Sequence, residues 1–223
     1  MKILLFGATG MVGQGVLRAC LDAPDVELVQ TVGRKATGVQ HPKLREVVHA
    51  EMLSIAAIEA QLAGFDACLF CLGLTSTRVG EREYTRIIHD ITLAAASALA
   101  KAAPDCQLVY LSGPRADAAS RDMQARVRAR TESALGQLGF RHPPLILRPE
   151  MIVPVGGDRP RTPALRMFYG LMKPLLLALR VIAPHHIHTT RQMGQAMLAL
   201  ARKPPARPLV DSAAIAALTR QRR

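Results

Sequence analysis

Short apolar runs alternate with longer stretches of helical periodicity from the amino terminus to Pro149. The runs Lys2–Phe6, Val26–Val32, Arg45–Val48, Ala67–Cys71, Gln107–Leu111 and Leu145–Leu147 predict strands. Between them, helical patterns fall near Val12–Leu21, Ser54–Gln61, Glu81–Ala102 and Ala118–Leu138. Strands this short, with apolar centres, suit a sheet covered on both faces. The alternation therefore predicts an α/β protein with a doubly wound parallel sheet in the order 3-2-1-4-5-6. After Pro149 the alternation stops. Ile152–Pro163 reads as a Gly- and Pro-rich loop, followed by helices near Ala164–Ile182 and Thr189–Ala201 and a short tail from Pro208.

The first strand runs into Gly7-Ala8-Thr9-Gly10-Met11-Val12-Gly13 and then a helix. Gly7 permits a sharp turn, Gly10 lets backbone approach a pyrophosphate, and Gly13 permits close helix–strand packing. The helix start presents N–H groups and a positive dipole end to phosphate. This strand–turn–helix context makes the fold class a Rossmann-type doubly wound sheet with a small C-terminal helical cap. Residues 1–223 are expected to form a single NAD(P)-binding domain, with 151–223 contributing the cap on the substrate side.

The second strand discriminates between dinucleotides. A site for NAD places Asp or Glu about 20 residues beyond the glycines, on the ribose hydroxyls. This chain instead has Gly33-Arg34-Lys35. Arg34 can grip a 2′-phosphate in bidentate fashion and Lys35 adds charge, so NADP(H) is expected over NAD(H). A pair of solvated turn cations is the plainer alternative.

Composition refines this picture. Hydrophobic residues make up 49% of the chain and aromatic residues only 4%, with no Trp. A stacking platform for single-stranded nucleic acid is disfavoured. The net charge of +12 favours anionic partners. The arginines are spread along the chain, however, and Arg121 and Arg128 fall on one side of their helix with Arg126 and Arg130 on the other, so a nucleic-acid role is not expected. Cys68 and Cys71 form a C-x-x-C inside a strand, where residues three apart face opposite ways. With Cys20 and Cys106 they read as buried structural thiols of a reducing, cytoplasmic protein. No targeting segment is evident, and Met167–Pro184, interrupted by Lys173, Pro174 and Arg180, is too short for a membrane span. The histidines of Pro184-His185-His186-Ile187-His188 read as a loop cluster, so no metal site is expected.

Taken together, these residues resemble an atypical short-chain dehydrogenase/reductase, of the kind represented by Tat-interacting-protein-type oxidoreductases and their bacterial epimerase/dehydratase-like relatives. The resemblance covers nearly the whole chain. It rests on Gly7–Gly13, Gly33-Arg34, Cys71-Leu72-Gly73, Tyr110-Leu111-Ser112-Gly113, Val127-Arg128-Ala129-Arg130-Thr131-Glu132, Arg148-Pro149, Thr189-Thr190 and Met193-Gly194-Gln195-Ala196-Met197. It implies cofactor contacts from Gly7, Thr9, Gly10, Met11, Val12, Gly13, Arg34, Lys35, Glu51, Met52, Cys71, Leu72, Gly73 and Arg128. In such enzymes a Ser polarises the substrate oxygen, a Tyr exchanges the proton and a Lys four residues later lowers the pKa of the Tyr. Ser112 matches the Ser, whereas Gln124 and Arg128 stand at the Tyr and Lys positions. Gln exchanges no proton near neutral pH and Arg stays protonated, leaving Ser112 and Arg128 as the candidate catalytic residues.

Two functions follow as expectations. One is an oxidoreductase, acting on a small molecule that no motif identifies, whose proton comes from elsewhere than the usual Tyr. The other is a non-catalytic NADP(H)-binding redox sensor with a protein partner. The apolar helix at Leu175–Ile182 is an expected interface, and the oligomeric state is left open.

Overall fold

A computed structural model describes residues 1–74, 79–160 and 162–220 of the chain. Seven parallel strands form one sheet: β1 (Lys2–Phe6), β2 (Leu28–Gly33), β3 (Leu44–Val48), β4 (Ala67–Phe70), β5 (Gln107–Leu111), β6 (Leu145–Arg148) and β9 (Leu209–Asp211). Their spatial order is β3-β2-β1-β4-β5-β6-β9, the expected order with one strand added beyond β6. The central strand β1 is buried on both faces because its side chains alternate between two apolar layers. Ile3 and Leu5 join the layer of α1 (Met11–Asp22) and α6 (Thr190–Arg202). Leu4 and Phe6 join the opposite layer, under α3 (Ile91–Ala102). Phe6 stacks on Phe70 with ring centroids 4.9 Å apart, which ties β1 to β4 across that second layer.

Helices α1 and α6 cross at two glycines. A Cβ on Gly15 would lie 2.7 Å from the Thr190 backbone oxygen, and one on Gly194 would lie 2.6 Å from the Ala19 side chain. The missing side chains let the two backbones meet. α6 opens with a capping box, Thr189 accepting from the Gln192 N–H and the Gln192 side chain accepting from the Thr189 N–H. Its Met193, Ala196, Met197 and Leu200 are buried in the first layer. The region beyond residue 150 is therefore divided. α6, β9 and α7 (Ser212–Arg220) complete the main sheet and its covering layer. Only β7 (Met151–Val153), α5 (Pro163–Ile182) and β8 (Ile187–Thr189) stand apart, with β7 and β8 pairing as a small parallel sheet.

Several expected elements are revised. The tail from Pro208 is a strand and a helix, and Ile152–Pro163 begins inside β7. Ser54–Gln61 is a 3-10 segment at Ala56–Leu62. Glu81–Ala102 is α2 (Glu81–Thr85), a wider π turn at Arg86–Asp90 and α3. The fourth helix, α4, is Met123–Leu135. It starts later than Ala118 because Asp122 caps it, its side chain accepting from the Gln124 N–H at 3.0 Å.

Candidate nucleotide-binding site

The glycine turn after β1 is built so that no larger residue fits. Gly7 has φ +80°, and a Cβ there would lie 2.6 Å from the Cys71 carbonyl. A Cβ on Gly13 would collide with the Gly7 carbonyl oxygen and lie 2.9 Å from the Ala8 Cα. The turn closes with the Gly10 N–H donating to the Gly7 carbonyl at 2.9 Å. Helix α1 then follows Gly10, which offers it no side-chain cap, and has no acidic residue in its first turn. Its first N–H groups have no helical acceptors, and no carboxylate of that turn opposes an anion brought to them.

This turn opens into a cavity of about 670 Å³ at the carboxyl ends of the central strands. Of the residues expected to hold a cofactor, Gly7, Thr9, Gly10, Met11, Arg34, Lys35, Met52, Cys71, Leu72 and Gly73 line it. Arg34 and Lys35 are exposed at its rim beyond β2, and no carboxylate is among the described lining residues. Val12 and Gly13 lie outside the lining, Gly13 serving as a contact between α1 and the turn. Glu51 is exposed and also outside it, so the lining at that place is the neighbouring Met52.

The end of β5 is organised differently. Ser112 donates its hydroxyl proton to Glu132 at 2.5 Å, and Arg148 holds the same carboxylate through both Nε and Nη2. The Glu132 side chain is only 9% exposed. A hydroxyl has one proton to give, so Ser112 in this arrangement has none for a substrate oxygen. Arg128 donates to Gln124 at 3.2 Å and to the Pro114 carbonyl at 3.4 Å, and its guanidinium packs over Gly113. Neither Ser112 nor Arg128 lines the cavity. Arg128 also lies 6.0 Å from the centre of the Tyr84 ring. Tyr84 is fully buried beside that guanidinium. Burial raises the Tyr84 pKa, and the Arg128 charge pulls it back. Tyr110, inside β5, is held protonated by burial.

Cys68 and Cys71 diverge as their spacing predicts, Cys68 into one apolar layer and Cys71 into the other. Burial pushes Cys20 and Cys106 up to about 12 and holds the other two thiols protonated. The histidines separate as well. His186 is exposed and meets Glu150 at 2.6 Å, whereas His188 is buried against Ser212 at 2.6 Å. Ser212 gives its proton to the His185 carbonyl, so His188 donates through Nε2, and burial lowers the His188 pKa to about 4, which keeps the ring neutral. Among the described residues no group of three or more metal-ligating side chains comes together.

The cavity also has walls that the motifs did not signal: Val32, Ile87, Ile91, Pro160, Thr162, Leu165 and Tyr169. Tyr169 donates its hydroxyl to the Ile152 carbonyl at 3.0 Å, and burial raises its pKa. The loop carrying Pro160 is clamped to α1, Gln14 donating to the Arg159 carbonyl and accepting from the Arg159 N–H. Arg18 pairs with Asp158, whose side chain is fully buried, and completes that clamp.

Fold and cradle together define a Rossmann-type α/β protein with a glycine-lined cavity at the carboxyl edge of its sheet. No protein-family model matches the chain. Among curated proteins it is similar to "Protein fmp52-2, mitochondrial" of Aspergillus terreus, 28% identical over 174 residues, covering 77% of this chain and 75% of that protein. Solved structures with the same fold include dTDP-glucose 4,6-dehydratase from Streptomyces venezuelae with NAD and TYD bound. It is 15% identical, with TM-score 0.70 over 95% of this chain and 75% of that one. Yeast methylglyoxal/isovaleraldehyde reductase complexed with NADPH is 13% identical, with TM-score 0.70 over 95% and 77% of the two chains. The cytoplasmic location expected from the thiols is corrected by the relatives from Aspergillus terreus, Scheffersomyces stipitis and Candida albicans, all named mitochondrial. Buried, protonated thiols stay reduced because oxidants and partners do not reach them, so they carry no record of the compartment.

Proposed function

We propose that this protein binds NADP(H) in the cavity at the carboxyl edge of its sheet and acts there as an oxidoreductase on a small uncharged molecule. The observation that carries the reading is the composition of one continuous wall. The glycine turn, the exposed Arg34 and Lys35 and the absence of any carboxylate among the described lining residues suit a phosphorylated dinucleotide. The backbone of Gly7–Met11 would hold the pyrophosphate, Arg34 and Lys35 the 2′-phosphate, and Met52 the adenine face. A bound nicotinamide supplies the hydride chemistry. The solved neighbours with NAD or NADPH bound support a nicotinamide dinucleotide as the ligand class. Leu74, Ile87, Ile91, Leu165 and Tyr169 make the remaining wall mostly apolar, which favours an apolar carbonyl or alcohol over a charged substrate.

A second reading, a nucleotide-bound sensor, is favoured by one observation. The Ser112 proton is committed to Glu132, and Gln124 and Arg128 are bonded to each other rather than aimed into the cavity. Turnover separates the readings. Purified protein is mixed with NADPH and a panel of apolar aldehydes, ketones and enones, and absorbance of the reduced nicotinamide is followed. The enzyme reading expects consumption above the protein-free rate. Nucleotide binding without consumption across the panel transfers the weight to the sensor.

A further inference from the structure

Helix α5 is thinly anchored. Of its 20 residues only Leu176 is buried, and the helix packs chiefly on β7 and β8 rather than on the main sheet. Leu165 and Tyr169 of α5 nevertheless form part of the cavity wall, so the position of the helix sets the width of the cavity. Its amino-terminal end is held by the strap at residues 155–160, which lies on α1, the helix that follows the glycine turn. Arg166 donates through Nε to the Pro160 carbonyl at 2.8 Å, so the strap and the start of α5 move as one piece.

Two fastenings join the strap to α1. In the first, Arg18 pairs with Asp158 at 2.5 Å and its guanidinium covers Gly156, where a Cβ would collide with it. The other Asp158 carboxylate oxygen is buried with no hydrogen-bond partner among the described residues. A carboxylate enclosed with a single cation has no stable halfway position, because once parted from Arg18 it must reach water. The fastening is therefore either shut or open. Gly156 (φ +65°) and Gly157 (φ +91°) stand beside it in left-handed backbone, a pair able to absorb the rotation between the two states. The second fastening, Gln14, faces both ways. Its Nε2 donates to the Thr9 carbonyl of the glycine turn and to the Arg159 carbonyl of the strap, each at 3.2 Å. Its Oε1 accepts from the Arg159 N–H at 3.1 Å. One side-chain amide thus ties the strap to the turn built for phosphate.

We propose that Gln14 and the Arg18–Asp158 pair form a latch through which an occupied phosphate turn holds α5 against the cavity, and that opening of this latch limits nucleotide release. The inference rests on the nucleotide reading of the cavity. An anion that fixes the backbone at Thr9 also fixes the acceptor of Gln14, and so favours the shut state. By linkage, the shut latch strengthens binding of that anion by the same factor.

The test is amide hydrogen exchange of the full chain with and without NADPH, joined to stopped-flow release of bound NADPH into excess NADP⁺. It compares the natural chain with Gln14→Ala and Arg18→Met/Asp158→Asn. The double variant leaves no unpaired carboxylate, and slow exchange in β1 checks that each variant is folded. In the natural chain, NADPH should slow exchange at residues 155–159. Gln14→Ala should still bind NADPH but lose that slowing, and both variants should release it about tenfold or more faster. Bound NADPH that leaves exchange at residues 155–159 unchanged, or that both variants release at the natural rate, would overturn the latch while the nucleotide site stands. Failure of the natural chain to bind NADPH would overturn the latch together with the nucleotide reading.

Discussion

Two stretches of the sheet's carboxyl edge, after β1 and, across β4, after β5, carry the family-like motifs, yet they are filled in opposite ways. After β1 the side chains are withdrawn. Gly7, Gly10 and Gly13 leave backbone N–H groups facing a cavity, and the nearest fixed charges on its wall are Arg34 and Lys35. After β5 the space is occupied. Ser112, Glu132 and Arg148 form a closed hydrogen-bonded set, and Arg128 lies on Gly113 beside the buried Tyr84. The contrast separates two properties that usually travel together. Nucleotide binding needs only the first stretch, whereas proton transfer needs a titratable group presented at the second. Motif positions alone do not distinguish a presented side chain from one whose hydrogen bonds are already spent.

The largest test breaks the filled end. Arg148→Leu leaves the Glu132 carboxylate buried without its cation, and removing one partner of such a pair costs about 3–5 kcal/mol. Urea unfolding should show a loss near the low end, because Arg148 retains some solvent contact. Nucleotide affinity of the folded fraction should hardly change. A control of similar size touches neither end. Burial depresses the His188 pKa to about 4 from the ordinary 6.5. Between those values the unfolded chain takes up a proton that the folded chain refuses. Stability from this group is therefore full above pH 6.5 and lost as pH falls toward 4, by about 3 kcal/mol in all. His188→Leu should flatten that part of the urea stability profile.

At the open end, Gly13→Ala places a methyl against the Gly7 carbonyl, an overpacking that costs about 1–3 kcal/mol. In contrast to Arg148→Leu, it should also abolish nucleotide binding in a fluorescence titration. The smallest effect is expected from Ser112→Ala. Removing one hydrogen bond to a charged partner costs about 1–2 kcal/mol of stability. Nucleotide affinity should be unchanged, because Ser112 lies outside the cavity lining.

What was legible in the sequence follows the same division. The order of the first six strands and the cradle of Gly7–Gly13 were readable because strand periodicity and glycine sterics are local. β7, β8 and β9 were not, since each has three residues and Pro154 or Pro208 stands beside two of them. The late start of α4 was written in Asp122, a capping residue that a helical pattern from Ala118 overran. Ser112 was named for its motif position, and its engagement by Glu132, twenty positions away, depends on how α4 packs beside β5. Leu165 and Tyr169 were missed as cavity residues because an apolar helix with two apolar faces does not announce which one turns inward. The thiols were read correctly as buried and then overextended to a compartment, which burial does not determine.

The central claim, a phosphorylated dinucleotide held by the open end, is tested most directly by calorimetric titration of the natural chain and Arg34→Asp with NADPH and NADH. The account predicts tighter binding of NADPH than NADH by the natural chain. Arg34→Asp should lose about tenfold or more in NADPH affinity, at least 1.4 kcal/mol, while NADH is affected far less. Equal affinity for both nucleotides, unchanged by Arg34→Asp, would contradict the role of Arg34, and binding of neither would contradict the site itself.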